Sequence, residues 1–140
     1  MAATPSNTAT TPNAAADEIL ALTRKLLEAI VAGDWKTYED LCDPQITCFE
    51  PEAEGHLVQG MAFHKFYFDL GAPSGPRTTT LVSPNVRFCG ENAAVVAYVR
   101  LTQKLDAAGN PTTVAIEETR VWHRDGGRWR HVHFHRSPAG

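Results

Sequence analysis

From Thr78 onward the chain changes period. The stretches TTTLVSPNVRFCG, AAVVAYVRLTQKL, TTVAIEETRVWHR and RWRHVHFHRS alternate along almost all of the remaining length, which is the pattern of strands with one face buried. Their connectors, GEN, DAAGNP and DGG, are short and rich in turn formers, so consecutive strands are expected to be hairpin-linked and antiparallel. A long sheet must cover its apolar face, and the helical patterns all lie ahead of it. Helices followed by a meander argue an α+β domain in which a curved antiparallel sheet wraps the long first helix.

That helix is expected from Asp17. Ile19, Leu22, Leu26 and Ile30 recur at helical spacing with Leu20, Leu27 and Val31 beside them, while Asp17 and Glu18 suit the positive end of the helix dipole. Gly33 supplies a C-terminal cap, and Asp34 is the expected N-cap of a second short helix through Trp35, Tyr38 and Leu41 that ends at Asp43-Pro44. ITCFE reads as a short strand interrupted by Pro51. GMAFHKFYFDL reads as a third helix with Met61, His64 and Phe68 near one face, and GAPSGP as a loop. The segment Met1–Ala16 has no charged side chain and no large apolar one after the initiator, so it cannot bury enough to order itself. It also lacks the arginines of an organellar transit peptide. The expected division is a disordered linker or tail over 1–16, one domain over 17–137 and a short tail over 138–140.

Composition narrows the function classes. With 140 residues, 43% hydrophobic content and a net charge of −3, the chain is large enough for one core without staples. No basic run offers a phosphate-tracking stripe, so a nucleic-acid partner is not expected. Cys42, Cys48 and Cys89 form no CxxC pair and read as small buried or half-buried residues in a reducing compartment. With no membrane-spanning stretch and no secretory signal pattern, a soluble cytoplasmic protein is expected, with no membrane partner.

Strand parity singles out the arginines. Arg100 shares a face with Val96 and Tyr98, Arg120 with Ile116, Glu118 and Trp122, and Arg136 with Val132 and Phe134. A guanidinium stays charged, and burying it unpaired costs several kcal/mol, so each needs a carboxylate, an anion or a wet cavity. Glu118 is the nearest partner by parity, with Glu50 or Glu52 as a second source. Three arginines against one or two carboxylates leave positive charge over, which suits a small carboxylate held in bidentate fashion. Parity slips at a bulge, and an arginine at a strand end can reach solvent instead.

His131, His133 and His135 fall on the opposite face at a spacing from which a strand can chelate a metal. No cysteine or carboxylate completes a recognised set beside them, so neither a metal nor a cofactor is expected, and a subunit interface is the preferred use of that face. His64, on the third helix, is the better candidate for the pocket.

AIVAGDW, LCDP, FEPEAEGHLVQGMAFHKFYF, VRLTQKLDAAGNP and EETRVWHRDGGRWRHVHFHRS together resemble the association, or hub, domain of calcium/calmodulin-dependent protein kinase II, over about Asp17 to Ser137. The resemblance implies the cone-shaped fold of the nuclear-transport-factor-2-like superfamily and a non-catalytic scaffold. That scaffold assembles dimers into a particle of two stacked rings and gathers linked kinase domains. It also implies a pocket lined by arginines at Arg100, Arg120 and Arg136, with a histidine at His64, that binds small carboxylates. The loop DLGAPSGPRTT is shorter than its kinase counterpart and lacks the tryptophan found there, which bears on affinity and on any lid. No glycine-rich loop, HRD or DFG segment of a kinase is present, nor a basic amphipathic calmodulin target. The chain is therefore expected to be either a piece of a kinase or a free-standing hub. A small enzyme of the same fold, such as an isomerase, dehydratase or hydrolase with His64 as general base, is the alternative.

Overall fold

The structure, a computed structural model, describes the backbone over residues 5–140 and side chains from residue 14 onward. Of the tail expected over 1–16, residues 1–4 lie outside the described backbone, and the side chains of 1–13 are outside the described ones. Helix α1 (Pro5–Ala32) starts ahead of the Asp17 that periodicity indicates, but its fully buried positions, Ile19, Thr23, Leu26 and Leu27, begin only at Ile19. The turn into α2 (Trp35–Leu41) needs glycine: Gly33 has φ +69, and a Cβ there would lie 3.1 Å from the Ala72 Cβ. Asp34 caps α2 as expected, accepting the Thr37 N–H at 3.2 Å and the Thr37 hydroxyl at 2.7 Å.

Strand β1 (Cys42–Phe49) begins directly after α2 and is longer than ITCFE alone indicates. A 3-10 turn, Pro51–Ala53, leads to the short β2 (Val58–Gln59), which the sequence reading missed. Helix α3 (Ala62–Asp69) precedes the meander of β3 (Arg77–Phe88), β4 (Ala93–Leu105), β5 (Pro111–Asp125) and β6 (Arg128–Pro138). The six strands form one sheet in the order β2-β1-β6-β5-β4-β3. The meander is antiparallel as expected, and β1 extends it by pairing in parallel with β6.

One face of the sheet closes on α1. Ile19, Leu26 and Leu27 join Ala94, Val96, Tyr98, Trp122 and Phe134 in the core. The junction is also polar at one point: the Trp122 indole N–H donates to the Thr23 hydroxyl at 3.1 Å, and that hydroxyl donates to the Ile19 carbonyl at 2.8 Å. Among the described residues no helix is long and apolar enough to cross a membrane.

Two bulges correct the simple parity argument. On β3, Ser83 (φ +50) and Pro84 fall between the pairs Val82↔Val99 and Asn85↔Ala97. Proline is tolerated there because β3 is an edge strand and a bulge frees the ladder position. Between β5 and β6 the register passes from Val121↔His133 to Trp122↔His131, which leaves Val132 as the extra residue. The expectation that Val132 shares the inner face with Phe134 and Arg136, and that His131 shares the outer one with His133 and His135, is thereby overturned. His131 is fully buried against Trp122, whereas His133 is half-buried and His135 exposed. Cys89, expected to be at least half-buried, is exposed.

Candidate ligand pocket

Parity does hold for the three arginines and Glu118, because β4 and β5 run in unbroken register from Ala93↔His123 to Leu105↔Pro111, and Glu118↔Arg136 continues the row onto β6. Glu118 is the hub of the cluster. Its side chain is fully buried and lies 3.1 Å from Arg120 Nη2, 3.2 Å from Arg100 Nε and 3.7 Å from Arg136 Nε. The Tyr98 hydroxyl donates to it at 2.6 Å and accepts from Arg120 Nε at 2.8 Å. Burial by itself would raise the Glu118 pKa; Arg120 and Arg100, with the Tyr98 hydrogen bond, hold it below the usual carboxylate range.

The arginines are not equivalent. Arg120 is fully buried, is engaged by Tyr98 and Glu118, and lies over the Phe134 ring with its guanidinium carbon 4.7 Å from the centroid. Its role is to order the site. Arg100 and Arg136 are partly exposed, and the Nε of each, like Glu118 Oε2, is a buried polar atom without a hydrogen-bond partner. The ion pairs that these atoms make with Glu118 lack hydrogen-bond alignment, so their hydrogen-bonding capacity is left unused. The three arginines line a cavity of about 200 Å³ with Glu50, Glu52 and His64, and with Ile30, Tyr38, Tyr67 and Phe68 on its apolar side, while Glu118 lies behind them. A larger cavity, about 320 Å³, sits between α1 and β3, away from this cluster.

The charge balance is closer than the sequence indicates. Both Glu50 and Glu52 reach Arg136 Nη1, at 3.3 and 2.8 Å, so three carboxylates face three guanidiniums rather than one or two. Glu50 is the weak member: burial, then the proximity of Glu52, raise its pKa, and Arg136 only partly offsets this. Both carboxylates accept hydrogen bonds from Arg136, so a ligand carboxylate at that guanidinium would have to displace one of them.

His64 hydrogen-bonds through Nδ1 to the Tyr38 hydroxyl at 3.0 Å, and its Nε2 lies 3.9 Å from Cys48 Sγ. Burial, helped by the Arg120 charge, pulls its pKa from 6.5 down to about 4. A histidine depressed in the folded state stabilises the fold fully above its unfolded pKa, and this contribution is lost as pH falls from 6.5 to about 4. The urea midpoint is therefore expected to drop over that window. His64→Gln should flatten the drop, leaving the share due to His131, which burial and Arg120 shift the same way. An unchanged slope in the variant would show that His64 protonates without cost.

All five residues expected at the site, Arg100, Arg120, Arg136, His64 and Glu118, thus meet in one place, and Glu50 and Glu52 join them. Tyr98 and Tyr38 were missed as polar members. A tyrosine on an inward face beside a glutamate was the available signal for Tyr98. The outer face expected to carry His133, His135, Thr119 and Val121 also carries the exposed Phe49, which packs against both histidine rings.

Residues 15–140 match the family model of the calcium/calmodulin dependent protein kinase II association domain. The chain is 52% identical over 122 residues to the rabbit (Oryctolagus cuniculus) calcium/calmodulin-dependent protein kinase type II subunit delta, covering 86% of this chain and 23% of the kinase. It thus spans about a quarter of that relative's length. Among solved structures it is similar to the Chlamydomonas reinhardtii hub homology domain of this kinase type, with 51% identity, a TM-score of 0.84, and coverage of 90% of this chain and 99% of that one. It is equally similar to the association domain of the C. elegans kinase, with 50% identity, a TM-score of 0.85, and coverage of 89% and 96%. A nuclear-transport-factor-2-like protein of Salmonella enterica, 23% identical with a TM-score of 0.70 over 89% of this chain and 90% of that one, shares the fold alone.

Proposed function

This chain belongs to the family of calcium/calmodulin-dependent protein kinase II association domains, and from that premise we propose that it acts as a self-assembling, non-catalytic hub. The observation that carries this reading is a family match across the described domain together with a backbone that follows the hub homology domain closely. In the proposed assembly, copies of this chain pair as dimers and stack as two rings, and any linked kinase domains are brought close enough for one to act on its neighbour. The outer strip of Phe49, His133 and His135 is the surface proposed to meet another copy, since an aromatic residue at 39% exposure beside two imidazoles is suited to an interface core. A soluble, cytoplasmic setting belongs to the same reading. Catalysis is not part of it: both His64 ring nitrogens face protein groups, Tyr38 and Cys48.

The test is the particle mass of the purified chain by size-exclusion chromatography with light scattering, over a range of concentrations. A large mass independent of dilution is the expected result; a stable monomer would overturn the hub reading.

The pocket is proposed to hold a small carboxylate between Arg136 and Arg100, and the ligand is proposed to bias the assembly by preferring one packing of the subunits. Arg136→Ala should leave the fold intact, since its side chain lies at the edge of the cluster, and should weaken binding of a short carboxylate by about tenfold to a hundredfold, the loss of one charge-assisted hydrogen bond of roughly 1.5–3 kcal/mol. Calorimetric titration checks it, and equal affinity in the variant would remove Arg136 as the anchor.

A further inference from the structure

The parity of β1 places Cys48 and Glu50 on the same side of the chain, and α3 lays His64 across them. The Cys48 thiol donates to Glu50 Oε2 at 3.5 Å, its sulfur lies 3.9 Å from His64 Nε2, and one ligand atom from each of the three residues falls within 4.8 Å of the others. Thiolate, imidazole and carboxylate around a tetrahedral zinc, with bonds of about 2.0–2.3 Å, would sit about 3.5 Å from one another. The contacts of Cys48 already lie at that spacing. We propose that Cys48, Glu50 and His64 form a three-ligand site for a zinc-class divalent ion.

The surroundings prepare each ligand. In the tautomer in which Nδ1–H donates to the Tyr38 hydroxyl, the His64 lone pair is on Nε2, on the side of Cys48, and such an outer hydrogen bond is what fixes the tautomer of a metal-bound histidine. Burial keeps that imidazole neutral, the form that ligates. Arg136 holds Glu50 through Oε1, leaving Oε2 toward the thiol. Cys48 is fully buried, and burial with the adjacent Glu50 keeps it protonated without an ion. Metal binding would release that proton and leave a thiolate to offset part of the added charge. The nearby guanidiniums of Arg100, Arg120 and Arg136 oppose a cation; Glu52 and Glu118 offset two of these charges, and Glu50 is shared between Arg136 and the ion. Glu50 and His64 also line the cavity, so the ion is reachable from it, and the three ligands leave a fourth position for water or an anion. The soft sulfur selects a zinc-class ion over magnesium or calcium.

Cobalt(II) titrated into the chelator-treated full chain tests this, because a thiolate bound to cobalt gives a near-ultraviolet charge-transfer band and a four-coordinate ion gives strong visible bands. One cobalt per chain with both features, displaced by zinc, is expected. Cys48→Ala should abolish the near-ultraviolet band and weaken binding by at least about a hundredfold, beyond the loss typical of an outer-shell partner. Glu50→Gln should retain the band with weaker binding. Circular dichroism and particle mass verify that each variant is folded. Cys42 lies 3.6 Å from His131 and Cys89 is exposed, so a Cys42→Ala/Cys89→Ser variant serves as the control and should keep the full spectrum. Absence of the charge-transfer band from the unaltered chain, its survival in Cys48→Ala, or its loss in the control variant would overturn the proposal.

Discussion

Glu118→Ala is expected to destabilise the fold by about 3–5 kcal/mol, the range for breaking a buried ion pair by removing one partner. The loss is this large because the substitution takes the carboxylate partner from two guanidiniums, the fully buried Arg120 and the mostly buried Arg100, and one of three from Arg136. It also removes the acceptor of the Tyr98 hydroxyl. Glu118→Gln keeps the size and an acceptor for Tyr98 but not the charge, so it should recover only part of the loss. Urea unfolding of both variants at one pH checks this. A loss below about 1 kcal/mol for Glu118→Ala would mean that Glu50 and Glu52 take over as counter-ions, as an exposed pair does no more than that. The pH sign follows from the depressed pKa. Glu118 contributes fully above its unfolded value of 4.5, and that contribution disappears as pH falls below it through the lower folded value. This window overlaps the lower end of the one governed by His64, so the loss of stability should steepen below pH 4.5.

Trp122→Ala carries the second large effect, about 3–5 kcal/mol. Trp122 is fully buried, packs its ring at a tilt against His131 and joins the sheet to α1 through Thr23. Removing it opens a cavity in the core between the sheet and α1 and takes away the donor to Thr23. Trp122→Phe fills most of that space but loses the indole N–H, so it isolates the hydrogen bond, expected at about 0.5–1.5 kcal/mol. If the chain assembles as proposed, the thermal midpoint of both variants should rise with protein concentration, because association stabilises only the folded state. A midpoint unchanged by concentration in Trp122→Ala, together with a loss under about 1 kcal/mol, would place the junction between α1 and the sheet elsewhere.

The local chemistry of the chain was legible in its sequence. Period two identified four long strands, short turn-rich connectors made them an antiparallel meander, and Gly33 and Asp34 marked the break between the first two helices. Parity alone brought Arg100, Arg120, Arg136 and Glu118 to one face, since their rows are unbroken across β4, β5 and the second half of β6. Such features depend on neighbours a few positions away, and a periodic pattern records them directly.

Tertiary structure decided the rest. One extra residue at Val132 turned His131 inward and separated it from His133 and His135, because a side-chain period of two reverses every face when the register slips by one. The alternation of HVHFH is the same with or without that slip. The parallel pairing of β1 with β6 brought Glu50 and Glu52 to Arg136 across more than eighty residues, which changed the charge balance of the pocket. The docking of α3 set His64 beside Cys48 and Tyr38. These meetings depend on how the intervening chain closes and packs, so they join groups whose local patterns carry no mark of one another.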